Sequence, residues 1–66
     1  MKITVNGAPT EAKEGATVQE LVASLDAPGR GVAVALNGEV VPRSTWDSTE
    51  VKDADRVEVV RAVGGG

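Results

Sequence analysis

Two Asn-Gly pairs, Asn6-Gly7 and Asn37-Gly38, each end a strand-like stretch, and they limit what this chain can fold into more than any other feature. Asn-Gly is the favoured centre of a two-residue hairpin, because both central positions need positive φ and these two residue types tolerate it best. The first pair follows Met1-Lys2-Ile3-Thr4-Val5, where alternation places Ile3 and Val5 on one face of a strand. The return stretch towards Lys13 contains Pro9, which has no N–H to give to a ladder, so a short second strand belongs at a sheet edge. The second pair follows Gly31 to Leu36, a nearly continuous apolar run that suits a strand shielded on both faces, with Val32, Val34 and Leu36 on one of them. Glu39-Val40-Val41 is expected to return antiparallel to Val34–Leu36, and Pro42 confines it to an edge or a strand end.

A helix is expected between the hairpins. Thr17-Val18-Gln19-Glu20 matches a capping box, in which the Thr17 hydroxyl accepts from the Glu20 N–H and the Glu20 side chain reaches back to the Thr17 N–H. Val18, Leu21, Val22 and Leu25 then form one apolar stripe, and Pro28-Gly29 stops a helix of about two and a half turns. Beyond the second hairpin, Ser44 or Thr45 is expected to cap a short turn of helix carrying Trp46, the only aromatic residue. In so thin a core a large ring reads as a plug rather than a ligand platform. Asp53-Ala54-Asp55, between Lys52 and Arg56, reads as a solvated turn. Arg56 to Arg61 alternates again, with Val57 and Val59 facing one way and Val60 the other. The order strand, strand, helix, strand, strand, strand fits an α+β domain of β-grasp (ubiquitin-like) type: a mixed sheet of about five strands with one helix across one face. A parallel pairing of the first and last strands is taken from that fold, since alternation does not determine it.

Composition narrows the chemistry. With 66 residues there is room for one domain, read as residues 1–61 followed by a flexible Gly-rich tail at 62–66. Seven Lys and Arg against ten Asp and Glu leave a net charge of −3, which repels nucleic acid and anionic membrane surfaces rather than attracting them. The absence of Cys, His and Tyr removes disulfides, thiolate metal sites, the commonest neutral metal ligand and triad chemistry. No apolar run of membrane-spanning length and no signal-peptide pattern is present, so a cytoplasmic location is expected.

After Val60 the sequence runs Arg61-Ala62-Val63-Gly64-Gly65-Gly66. Glycines are the costliest residues to order and bring no side chain to a core, so this tail does not stabilise a fold. One reading is simply a frayed end. The other is a probe: a Gly-only terminus can enter a channel too narrow for a Cβ and extends the carboxylate about 10 Å past Val63. The length, the opening KITVNG, the block LNGEVVPRSTW at Leu36 to Trp46 and the ending VGGG together resemble the ThiS family of sulfur carriers of thiamine biosynthesis. The resemblance covers the whole chain, although a terminal Gly-Gly alone is shared by many ubiquitin-like proteins. It implies a carrier rather than an enzyme. A ThiF-like adenylyltransferase would use ATP to adenylate its C-terminal carboxylate, a sulfur-donor system would convert the adenylate to a thiocarboxylate, and thiazole synthase (ThiG) would take the sulfur. The functional pair carries over as Gly65 and Gly66, with Gly66 bearing the acyl group, while Gly64 is one glycine more than the family needs.

Residue chemistry agrees with that scheme. An α-carboxyl ionises at about pH 3.3–3.7 and as a carboxylate does not react with a sulfur nucleophile unaided. The chain has no phosphate-cradling motif, so it binds no cofactor itself and ATP must sit on the partner. Without Cys, the main-chain end is the one plausible covalent site for sulfur. Val60 and Val63 are candidates for apolar partner contacts on the sheet face near the tail, and Arg61 for an acidic groove, with the free carrier expected to be a monomer. Two other readings stand beside this one. The first is a carrier of the molybdopterin-synthase small-subunit (MoaD-like) type or another ubiquitin-like sulfur carrier, against which length and LNGEVVPRS argue. The second is a non-covalent β-grasp interaction module whose glycines are incidental.

Overall fold

The computed structural model describes residues 1–25 and 31–61. Its elements are β1 (Lys2–Val5), β2 (Ala8–Glu11), α1 (Val18–Ser24), β3 (Val32–Leu36), β4 (Glu39–Val41), a 3₁₀ helix (Arg43–Ser48) and β5 (Arg56–Arg61). The strands form one mixed sheet in the order β2-β1-β5-β3-β4. β5 is central, parallel to β1 and antiparallel to β3, so the first and last strands are neighbours. Both Asn-Gly pairs make the expected hairpins, with φ of 51° and 82° at Asn6 and Gly7 and of 51° and 89° at Asn37 and Gly38. β2 and β4 lie at the edges, as Pro9 and Pro42 require.

The capping box is complete: the Glu20 N–H donates to Thr17 Oγ1 at 3.2 Å, and the Thr17 N–H donates to Glu20 Oε1 at 3.0 Å. Val18, Leu21 and Val22 point into a core made with Ile3, Val5, Val34, Trp46, Val51 and Val57. That core lies on one side of the sheet. The helix start is tied to the chain after the 3₁₀ helix by Val18 N–H to Thr49 O and Val51 N–H to Ala16 O, both 2.8 Å.

Three expectations need correction. β3 is shielded on one face only: Val34 is buried, but Ala33 is exposed and Ala35 half-buried, because nothing among the described residues covers the face away from α1. A continuous apolar run built from alanines does not require two covered faces. The helix has seven residues, about two turns, with Leu25 as a half-buried C-cap rather than a full member of the stripe. Pro28-Gly29, read as its stop, lies outside the described residues. Neither Ser44 nor Thr45 caps the 3₁₀ helix: Pro42 occupies the N-cap position, and the Thr45 hydroxyl donates back to the Pro42 carbonyl at 2.9 Å. Trp46 is a core plug, as expected, at 2% exposure.

Candidate functional site

The end of β5 is where the fold presents residues without using them for packing. Val60 is 61% exposed and pairs across the sheet with Ala33, while Val40 is 75% exposed and pairs with Ala35. Directly opposed residues of an antiparallel pair share a face, so Val60, Ala33, Ala35 and Val40 form a shallow apolar strip on the side away from α1. Glu58, opposite Ala35, adds one negative charge beside it. The candidate reading of Val60 as a contact residue therefore has an uncovered side chain behind it.

Arg61 does not join that strip. Strand alternation puts it on the face of Val57 and Val59, opposite Val32, where it lines an open cleft of about 220 Å³ with Val5, Asn6, Leu25 and Val59. The last two described residues of β5 thus address different sides of the sheet. A larger hollow of about 360 Å³, between the Glu11–Ala16 segment and Glu20, Leu21 and Ser24, is lined by none of these residues. Val63, Gly64, Gly65 and Gly66 lie outside the described residues.

The carboxylates near the start of β5 are occupied by the backbone. Asp53 Oδ1 accepts from the Lys2 N–H at 3.0 Å, and Asp55 accepts from the Lys52 N–H at 2.7 Å and from Asn37 Nδ2 at 3.0 Å. These bonds hold a turn in which Ala54 has a φ of 71°. Among the described residues no group of three or more His, Cys, Asp or Glu side chains is placed to hold a metal ion. Among them also, no helix is long and apolar enough to cross a membrane.

Sequence reading missed the partners of Val60. The signal was available: a two-residue Asn37-Gly38 turn fixes the register that sets Val40 against Ala35. What it lacked was the antiparallel contact of β3 with β5, which joins Val60 to the same strip.

A five-stranded mixed sheet with parallel first and last strands, the last of them central, and one helix across one face defines a β-grasp, ubiquitin-like domain. Over residues 3–66 the chain matches the model of the ThiS family, and it belongs to that family. It is 35% identical to the sulfur carrier protein ThiS of Escherichia coli over 66 residues, covering 100% of both chains. It is 38% identical to a thiazole synthase of Paramagnetospirillum magneticum and 39% identical to one of Magnetococcus marinus, and spans only 20% of the length of each. The crystal structure of the thiamine biosynthesis protein ThiS from Geobacter metallireducens superposes with a TM-score of 0.86 at 45% identity, covering 100% of both chains.

Proposed function

We propose that this chain is a sulfur carrier of thiamine biosynthesis, acted on by enzymes rather than being one, whose Gly66 carboxylate is activated and then loaded with sulfur. The observation that carries the reading is the family match, which runs to residue 66 and so takes in Gly64-Gly65-Gly66 beyond a β5 whose end is left uncovered.

The chemistry balances without an oxidant. A carboxylate oxygen of Gly66 attacks the α-phosphorus of ATP held by a ThiF-like partner, the bond to the β-phosphate bridging oxygen breaks, and pyrophosphate leaves. The resulting acyl adenylate is a mixed anhydride with AMP as leaving group. Sulfur at the sulfide level, brought by a sulfur-donor system, adds to the acyl carbon and AMP departs, leaving a thiocarboxylate with one oxygen replaced by sulfur. ATP belongs to the partner in this scheme, since the sequence offers no motif to cradle its phosphates. Cytoplasmic ATP suits that location, with the free carrier a monomer.

A thiazole synthase is the proposed acceptor. Two proteins of that name each contain a stretch similar to this entire chain, which supports a physical association of carrier and acceptor. The strip of Val60, Ala33, Ala35 and Val40 is the proposed docking face, with the tail inserted beside it.

Incubation with a ThiF-like adenylyltransferase, ATP and a sulfide source should change the intact mass by one oxygen exchanged for one sulfur, localised to the C-terminal peptide. No change, under conditions that convert the E. coli carrier, would reject the reading.

A further inference from the structure

The corner of the sheet from which the tail departs is narrow. β4 pairs with β3 only at Val34–Leu36, so Val32 and Ala33 have no β4 residue beyond them. β1 pairs with β5 only up to Val57, opposite Val5, while β5 continues to Arg61. At Val60 and Arg61 the sheet is therefore a two-stranded ribbon of β3 and β5, and such ribbons are marginal by themselves.

One side chain widens it. Asn6, in the turn after β1, donates its own N–H to the Val57 carbonyl at 2.9 Å. Its Oδ1 then accepts from the Val59 N–H at 2.9 Å, and its Nδ2 donates to the Val59 carbonyl at 3.2 Å. The carboxamide thus satisfies both main-chain groups of Val59 that a longer, parallel β1 would have bonded. Asn37 does the matching work at the other end of β5: its N–H donates to the Arg56 carbonyl at 2.7 Å and its Oδ1 accepts from the Arg56 N–H at 2.9 Å. The two asparagines share a φ of 51° and clamp opposite ends of the same strand.

We infer that Asn6 is a positioning residue for the reactive terminus: by clamping Val59 it fixes the exit of β5 at Val60–Arg61, and so the direction in which the Gly tail is offered to the activating enzyme. The inference rests on the carrier function proposed above. A loose exit adds conformational freedom that must be lost when the tail threads a narrow channel, which lowers the rate at which the carboxylate reaches an attacking geometry.

The matched pair of asparagines supplies the test. Asn6→Gly removes two carboxamide bonds to Val59, and Asn37→Gly removes one to Arg56 and one to Asp55, while each keeps a residue that accepts positive φ, so a purely structural role predicts comparable results for both. Positioning predicts similar losses of melting temperature but different rates. With a ThiF-like enzyme, ATP and sulfide, kcat/KM for conversion of the terminus should fall about tenfold in Asn6→Gly and stay within about twofold of the parent in Asn37→Gly. Asn6→Asp, which keeps the acceptor for the Val59 N–H and loses the donor, should lie between. A readout independent of any partner is amide hydrogen exchange at Val60, expected about tenfold faster in Asn6→Gly and unchanged in Asn37→Gly. Equal conversion rates or equal Val60 exchange in the two glycine variants overturn the inference. If the parent chain itself is not converted while the E. coli carrier is, the proposed function fails, and the exchange comparison still decides whether Asn6 fixes the exit.

Discussion

Trp46 joins packing and hydrogen bonding in one residue: its ring is buried in the core, its indole N–H donates to the Val41 carbonyl at 2.9 Å, and the Arg43 guanidinium lies 5.6 Å from the ring centroid. Truncation removes the largest core side chain of a small domain. Trp46→Ala should cost about 3–5 kcal/mol in urea unfolding, enough to leave much of the chain unfolded. The helix residues divide more finely than their spacing suggests. Leu21 is 5% exposed whereas Leu25, at the C-cap, is half-buried, so Leu21→Ala should cost about 2–5 kcal/mol and Leu25→Ala clearly less. Equal losses would place Leu25 as deep in the core as Leu21.

Among the elements, α1 is too short to persist alone and depends on its cap and on the face it buries. Thr17→Ala leaves the Glu20 N–H without its acceptor and should lower stability by about 0.5–2 kcal/mol, measurable by thermal melting. The β3–β4 and β3–β5 pairings place Val40 and Val60 on one uncovered face, where they contribute little to folding. Val40→Asp and Val60→Asp should each change stability by no more than about 0.5 kcal/mol while weakening capture by the activating enzyme or the thiazole synthase about tenfold or more, read by calorimetry. Undiminished binding of both variants would move the interface to another face.

For the molecule as a whole, the decisive property is that packing is one-sided. The helix, the 3₁₀ helix and the core residues occupy one face of the sheet, leaving the other uncovered among the described residues, and a small domain can spare that area only because Trp46 and the valines fill the core tightly. The proposed task asks for a slender terminus on a stable body, so the two should respond separately to substitution. Gly65→Val adds a branched side chain in the tail and should abolish conversion by the adenylyltransferase while the melting temperature stays within about 1–2 °C of the parent. Full activity of that variant would dispose of the narrow-channel requirement.

Local chemistry in the sequence was enough to place both hairpins, the helix start, the edge strands and Trp46 in the core. Each depends on residues adjacent in the chain: positive φ at Asn-Gly, a reciprocal cap at Thr17 and Glu20, missing donors at Pro9 and Pro42. Contacts between distant segments were not legible. The β3–β5 register joins Val60 to Ala33, Ala35 and Val40, and strand alternation turns Arg61 to the opposite face. The Asn6 carboxamide meets Val59 only once β1 lies parallel to β5. Alternation tells which side of a strand a residue takes but carries no information about which strand comes next to it, and that choice is made by the burial of one shared core.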